Sequence, residues 1–245
     1  MNQVKWNVEH LKEVDSTNAW LAQRAREGAL EGLVLYSDFQ CAGRGRLDRQ
    51  WSAAAGTALL CSALLCPPTE ALSWVVIASA LAISDALEEL TDVRPTLKWP
   101  NDVLYDDLKV AGLLADAVGS GPPRVVVGLG LNLTEVDAAL TSATSVLTAT
   151  GERLEPTRVL GRYLHHLARR REQLESPSGL DSLRLDYEGD LCTLGQEVRV
   201  ELAGSSVRGR AVGIDDRGAL RVQVGSEERV FTAGDVVHLR REEEA

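Results

Sequence analysis

The sequence predicts an α+β protein with a large domain of mixed strands and helices and a small C-terminal domain of strands alone. The chain has 245 residues, which is enough for one medium domain and one small one. Up to about residue 174, strand-like and helix-like segments follow one another. From Leu191 onwards, four or five short alternating strands are joined by turns that contain Gly and Asp, a pattern typical of a small β-barrel or SH3-like unit. We therefore predict two domains, 1–190 and 191–245.

The large domain is predicted to begin with a strand and a capped helix. Residues 7–14 alternate loosely, as strands do, and Ser16 and Thr17 can then cap a helix over about 17–27 that stops at Gly28. Apolar runs, turn residues and helical spacing predict further elements, namely strands 32–40, 57–66, 102–105, 109–118 and 124–133 and helices 70–90 and 156–174. In the small domain, the last predicted strand is 229–239.

The composition, 44% apolar and 25% charged, is that of an ordinary globular protein. A net charge of −10 argues against a chain that coats nucleic acid, but it allows a small anionic ligand at a local basic site. The four cysteines form no C-x-x-C pair, and the adjacent His165 and His166 would point about 100° apart on a helix, so we expect no metal site. The N-terminus lacks a signal-peptide pattern. The uncharged run 50–69 is long enough to span a membrane but is interrupted by Gly56, Pro67, Pro68 and hydroxyl side chains, and the run 71–84 is too short. We expect a cytoplasmic protein.

The segment Cys41–Trp51, "CAGRGRLDRQW", concentrates three arginines on a glycine-rich stretch of an acidic chain. One interpretation is a solvated turn. The other is an anion cradle, in which glycines let backbone N–H groups approach oxygen atoms while arginines bind phosphate or carboxylate. The segment is not a Walker A loop, because no G-K-[ST] follows, nor a Rossmann fingerprint, because Asp48 stands at the third glycine position. A loop that orders when its ligand arrives can keep water from a reactive intermediate.

The stretches "KWPND" (98–102) and "LKVAGLL" (108–114) place Lys109 at the head of an apolar strand. A lysine in this position often does no more than mark the start of a strand. However, Asp102 precedes it by seven residues across a tight connection, so a carboxylate and an ammonium can face one site. Gly112 weakens the strand unless another group passes close to the backbone.

Two glycines, Gly128 and Gly130, lie inside the apolar strand "GLGLN" (128–132), where glycine is costly. Close packing against a helix is one explanation, and a flat ligand that lies on the bare backbone is the other. The stretch "STN" (16–18) is explained by helix capping alone, although capping hydroxyls can also face a ligand.

Taken together and in this order, five stretches between Ser16 and Leu133 resemble the biotin–protein ligase family: "STNAW", "QCAGRGRLDRQW", "KWPNDVLY", "LKVAGLLAD" and "VVVGLGLNL", with a weaker match at "GDVVHLR". The resemblance implies a mixed β-sheet catalytic domain backed by helices, of the class II synthetase-like biotin ligase fold, and then an SH3-like domain. It also implies two reactions. Biotin's carboxylate attacks the α-phosphorus of ATP, with Mg²⁺ present, to give biotinyl-5′-AMP and pyrophosphate. A lysine of a biotin carboxyl carrier protein or domain then takes the biotin and releases AMP.

The resemblance also assigns residues to roles. Catalysis falls to Lys109, which bridges the carboxylate and the α-phosphate, to Asp102, which orients Lys109 or acts on the carrier amine, and to Arg44. Trp51 is expected to stack on adenine as a cation-free surface. The biotin side is implied for twelve residues: Ser16, Thr17, Asn18, Gln40, Gly43, Arg44, Gly45, Arg46, Lys109, Gly112, Gly128 and Gly130. The ATP side is implied for six: Arg44, Arg46, Arg49, Trp51, Asn101 and Asn132.

The sequence departs from the family pattern at Asp48, where glycine is frequent, so a negative charge stands beside the phosphate-binding arginines. Only fifteen residues precede Ser16, which leaves no room for the helix-turn-helix domain of family members that repress transcription. We therefore expect neither DNA nor a membrane as a partner, while a homodimer stays open because dimers occur in the family. The alternatives are a lipoate–protein ligase of the same broad fold, a non-catalytic biotin sensor, and an adaptor built around the SH3-like domain.

Overall fold

The structure, a computed structural model, describes residues 4–239 apart from 48, 120 and 203. Seven strands form the central sheet: β1 (Asn7–Val14), β2 (Leu33–Gln40), β3 (Ala58–Leu65), β4 (Thr96–Lys98), β5 (Asp102–Tyr105), β6 (Leu108–Ala117) and β7 (Val125–Asn132). Their order across the sheet is β1-β2-β3-β7-β6-β5-β4. β1 and β2 are parallel, and the other neighbouring strands are antiparallel, so the sheet is mixed as expected.

Helices cover both faces of this sheet. Within the described residues the α-helices are α1 (Thr17–Arg26), α2 (Val75–Thr91), α3 (Val146–Thr150), α4 (Pro156–Gln173) and α5 (Pro177–Asp190). Because side chains alternate across a strand, Leu64 packs in the cluster that contains α1, whereas its neighbour Leu65 packs in the cluster that contains α2 and α4. The face that carries α1 also carries the candidate site.

The core of the large domain lies between the sheet and two helices, with α4 on β3, whose eight residues are all buried, and α2 on β6 and β7. The helical segment Thr69–Thr91 is long and apolar enough to cross a membrane, but 72% of its most apolar window is buried in the protein. The apolar run at 71–84 was expected to be too short for a span; the helical segment is longer because a 3₁₀ turn, Thr69–Trp74, leads directly into α2. Its burial identifies it as a core helix of this fold.

Two helices and one strand division were not predicted from the sequence. α5 buries only Leu183 and Tyr187, so its apolar pattern is too sparse to show a helical period. α3 has only five residues. The predicted strand 229–239 is two strands, because Gly234 adopts φ +145°, which a residue with a side chain rarely adopts, and turns the chain.

The small domain is an antiparallel sheet of five strands in the order β11-β10-β9-β8-β12, which confirms the all-strand prediction. The strands are β8 (Glu197–Leu202), β9 (Ser205–Ile214), β10 (Leu220–Val224), β11 (Glu227–Phe231) and β12 (Asp235–His238). We propose the domain boundary at residue 190, where α5 ends. The C-terminal segment expected to fray begins at residue 240 and lies outside the described residues.

The small domain is joined to the large one by tryptophan hydrogen bonds. Trp74 Nε1 donates to the carbonyl oxygen of Asp216 at 3.1 Å, and Trp99 Nε1 donates to that of Gly218 at 3.1 Å. A Cβ added at Gly218 would lie 2.5 Å from Cδ1 of Ile77 on α2, so the turn and the helix are in close contact. The small domain therefore lies beside the 98–102 segment that leads into the candidate site.

Candidate active site

A cleft that is partly open to solvent lies on the α1 face of the sheet at the N-terminus of α1. Its walls come from the start of α1, the arginine-rich loop 43–51, the centres of β6 and β7, and one residue of the small domain, Asp235. The floor includes three glycines of β6 and β7, Gly112, Gly128 and Gly130, which place no side chain in the cleft. The cleft therefore combines a glycine-lined floor with a polar and cationic rim.

One end of the cleft is lined by a chain of neutral hydrogen bonds. Gln40 Oε1 accepts from the backbone N–H of Thr17 at 2.7 Å and from its hydroxyl at 3.0 Å. Ser62 Oγ lies 2.8 Å from Thr17 Oγ1 and donates to Asn18 Oδ1 at 2.6 Å. These contacts fix both amides, so that Gln40 keeps Nε2 as a donor and Asn18 directs Nδ2 towards Asp116 at 3.2 Å.

The glycines of β7 explain how side chains reach the floor of this cleft. A Cβ at Gly128 would lie 2.0 Å from Asn18 Oδ1, and a Cβ at Gly130 would lie 2.4 Å from Trp51 Cε2. Gly128 therefore makes room for a helix side chain, which is the packing explanation. At Gly130 a flat ring does lie on bare backbone, and that ring is the indole of Trp51.

Lys109 and Asp102 form an ion pair inside the cleft, with 2.5 Å between Nζ and Oδ1. Both side chains are partly buried, and the Lys109 backbone is held on both sides, since its N–H donates to Ser142 and its carbonyl accepts from Thr144, each at 2.9 Å. The Lys109 ammonium lies 5.7 Å from the centroid of the Trp51 ring. The expectation that Trp51 is a cation-free surface is therefore wrong, because β6 brings a lysine beside it.

The arginine-rich loop is a narrow hairpin closed by its own backbone. Arg44 and Gln50 form an antiparallel bridge, and the Trp51 N–H donates to the Gly43 carbonyl at 3.0 Å. A Cβ at Gly43 would lie 2.3 Å from the Trp51 carbonyl oxygen, so glycine is required for this close approach. The effect of Asp48, the departure from the family pattern, concerns a residue outside the described part of the chain.

Each loop arginine contacts a different part of the cleft rim. Arg44 Nη1 lies 3.3 Å from Asp116 Oδ2 on β6, and Arg49 pairs with Asp235 of the small domain. Arg46 donates to Asn101 Oδ1 at 3.1 Å and to the carbonyl oxygen of Gly234 at 3.2 Å.

Burial lowers the pKa of the Arg46 guanidinium, and the nearby carboxylates of Asp235 and Asp102 oppose that shift. Three guanidinium groups therefore converge on one cleft, and each is paired with a different acceptor.

A second cleft adjoins the first on the other side of Trp51. Its walls include Trp51, Lys109 and Asn132, together with the segment 135–143. Asn132 Nδ2 donates to the Thr144 carbonyl at 3.0 Å, which leaves its Oδ1 as an acceptor. Among the described residues, the buried Nε1 of Trp51 has no hydrogen-bond partner. Two clefts with Trp51 and Lys109 as a shared wall can hold two ligands side by side.

The structure brings the sequence-predicted site residues together. All of them line the first cleft except Gly43, which supports the loop, and Asn132, which lines the second. Three residues that contact the site residues were missed, namely Ser62, Asp116 and Asp235. Ser62 lies in an apolar strand whose pattern gives no sign of a polar contact. Asp116 is the last residue of "LKVAGLLAD" and Asp235 lies in "GDVVHLR", so the motifs themselves could have identified both.

Comparison with known proteins agrees with this architecture. Residues 10–132 match the family model "Biotin/lipoate A/B protein ligase family", and residues 193–239 match "Biotin protein ligase C terminal domain". Fold and site thus define a protein of the biotin and lipoate ligase class. The chain is 40% identical to a Mycobacterium tuberculosis biotin–[acetyl-CoA-carboxylase] ligase over 93% of this chain and 87% of that one. It is 33% identical to a Paracoccus denitrificans protein of the same description over 92% of this chain and 98% of that one.

Among solved structures, the Aquifex aeolicus biotin protein ligase in complex with biotin and ATP superimposes with a TM-score of 0.82 at 30% identity, over 96% of this chain and 99% of that one. The chain belongs to the biotin protein ligase family and is an ATP-dependent ligase. The resemblance drawn from the sequence motifs is therefore confirmed, and the adaptor alternative is wrong.

Proposed function

We propose that the enzyme makes biotinyl-5′-AMP from biotin and ATP and transfers biotin to a lysine of a biotin carboxyl carrier protein or domain. The observation that carries the proposal is the convergence of Arg44, Arg46 and Lys109 on one cleft whose opposite end is neutral and polar. A ligand with a polar uncharged head and a carboxylate tail matches that distribution of charge. The Aquifex relative solved with biotin and ATP supports the same assignment.

In this proposal the neutral end of the cleft holds the ureido ring of biotin. A ureido group offers one carbonyl acceptor and two N–H donors, and it needs fixed partners of both kinds. Gln40 already uses Oε1 for Thr17, so its Nε2 donates to the ureido oxygen. The hydroxyls of Ser16 and Thr17 at the start of α1 supply the remaining polar contacts.

The cationic end of the cleft lowers the barrier of the first reaction. One carboxylate oxygen of biotin attacks the α-phosphorus, the bond from that phosphorus to the bridging oxygen breaks, and pyrophosphate leaves. Two anions approach each other in this step, so Lys109 and Arg44 stabilise the charge that accumulates on the reacting oxygens. Asp102 holds the Lys109 ammonium in place before ligands arrive.

The second reaction uses the same site without a new catalytic group. The unprotonated amine of the carrier lysine attacks the acyl carbon, the bond to the phosphate oxygen breaks, and AMP leaves while the amine loses a proton. The mixed anhydride is prone to hydrolysis, so the loop must exclude water until the carrier arrives.

The second cleft is proposed as the nucleotide side, with Trp51 against adenine and Asn132 and Asn101 as polar contacts. Arg49 holds the triphosphate. In the described residues no group of three or more His, Cys, Asp or Glu side chains could hold a metal ion. The site therefore fits a Mg²⁺ ion bound mainly by phosphates and water, which would neutralise part of the phosphate charge.

The direct test is a transfer assay that contains the enzyme, ATP, biotin and a biotin carboxyl carrier domain, followed by mass spectrometry of the acceptor. We expect one biotin on one lysine of the carrier, and no modification when lipoate replaces biotin. Modification by lipoate alone would support the lipoate ligase alternative and overturn the proposal. We further propose that the enzyme is cytoplasmic and binds neither DNA nor membranes. A homodimer remains a prediction, which light scattering can test.

Removing the charge of Arg46 is expected to let more biotinyl-AMP leave the enzyme before it reacts. Arg46→Gln removes the guanidinium that joins the loop to Asn101 and to the small domain at Gly234. Charge-assisted hydrogen bonds contribute about 1.5–3 kcal/mol, so free biotinyl-AMP in a filtrate should rise about tenfold or more. Arg24→Gln, on the exposed side of α1, is the control. Unchanged retention of the adenylate would contradict the proposed role of the loop as a lid.

A further inference from the structure

Asp116 is a carboxylate at the rim of the cleft that the sequence-based assignment left without a role. It lies near the end of β6, and its Oδ2 accepts from Asn18 Nδ2 at 3.2 Å and pairs with Arg44 Nη1 at 3.3 Å. One carboxylate oxygen thus connects the neutral end of the cleft to the cationic loop. A negative charge in a site for two anions costs binding free energy, so its presence calls for a specific explanation.

The Arg44–Asp116 pair is looser and more exposed than the Lys109–Asp102 pair. Its side chains are 53% and 27% exposed, and its 3.3 Å separation compares with 2.5 Å between Lys109 and Asp102. Half-exposed ion pairs are worth about 1 kcal/mol or less, so a ligand can break this pair. Asp116 keeps its hydrogen bond to Asn18 when Arg44 leaves, and therefore stays in place.

What Arg44 binds in the free protein is a carboxylate, which is the group that biotin would present to it. We propose that Asp116 is a positioning residue that acts as the internal counter-ion of Arg44 and sets how strongly the site prefers a ligand with a free carboxylate. The proposal rests on biotin as the ligand. Binding then replaces the Asp116 carboxylate on Arg44 with the carboxylate of the ligand. The preference of the site for a charged ligand is therefore the difference between the interaction free energies of Arg44 with these two carboxylates.

The exchange makes a prediction that a merely structural role for Asp116 does not make. In Asp116→Asn the side-chain carbonyl still accepts from Asn18, but the amide no longer competes for Arg44. Biotin should gain affinity relative to biotin methyl ester, whose carboxylate is blocked. The ratio of the ester's Kd to the acid's Kd is expected to rise about threefold, the size typical of a half-exposed ion pair.

The experiment measures both dissociation constants by titration calorimetry for the parent enzyme, Asp116→Asn, Arg44→Gln and the double variant. The ratio should rise in Asp116→Asn and should not change further when Asp116→Asn is added to Arg44→Gln, because the two residues act on each other. An equal change in affinity for acid and ester would overturn the inference. If the parent enzyme fails to bind biotin, the proposed function fails instead, so the two failures are distinct.

Discussion

Lys109→Ala is expected to slow biotin-dependent exchange between pyrophosphate and ATP by about a hundredfold or more. Removing one preorganised group that stabilises transition-state charge typically costs a factor of about 10²–10³ in rate. The ammonium of Lys109 is preorganised, since its backbone is bound by Ser142 and Thr144 and its Nζ lies 2.5 Å from Asp102. The loss should therefore appear in the rate of adenylate formation rather than in folding.

The matched control is Lys12→Ala, which removes an exposed lysine of the edge strand β1 that is not among the residues lining either cleft. The free energy of unfolding of both variants should lie within about 1 kcal/mol of the parent value, because a partly exposed ion pair contributes little to stability. If Lys109→Ala formed adenylate at the parent rate, the charge-bridging role of this ammonium would be wrong.

Gly130→Ala is expected to weaken nucleotide use by a factor of at least about ten, because a displacement of about 1 Å at a reacting group can cost a factor of 10². The added Cβ would lie 2.4 Å from Trp51 Cε2 and 2.7 Å from Cδ2, so the indole must move away from the sheet. Moving it alters the wall that both clefts share with Lys109. The expected signature is a raised KM for ATP, measured by pyrophosphate exchange at saturating biotin.

Gly161→Ala on α4 is the control, because a Cβ there meets nothing within 4 Å and alanine favours a helix. It should leave the KM for ATP unchanged. A Gly130→Ala enzyme with the parent KM would show that Trp51 does not form the nucleotide wall.

Much of the fold could be predicted because its strands are apolar runs bounded by clear turn residues. β3 and β7 are buried on both faces, so they read as continuous apolar segments. α5 escaped prediction because only Leu183 and Tyr187 are buried along its fourteen residues. The orientation of the small domain was also beyond the sequence, because it depends on indole hydrogen bonds from Trp74 and Trp99 to a distant turn.

The site was predictable where its residues are unusual for their position, as at Gly128, Gly130 and Lys109. The partners of these residues were harder to find. Ser62 is a small polar residue in an otherwise apolar strand, and Asp235 pairs with Arg49 of the loop from the other domain. Pairing of this kind is set by tertiary contacts, and no local pattern records it.

The most direct test of the two-anion site is a crystal structure of the enzyme with biotin and an ATP analogue that cannot be cleaved between the α- and β-phosphates. The biotin carboxylate and the α-phosphate should lie within hydrogen-bond distance of Lys109 Nζ, with Arg44 and Arg46 on the same oxygens and Arg44 released from Asp116. Both molecules bound away from the 43–51 loop and from Lys109 would contradict the account.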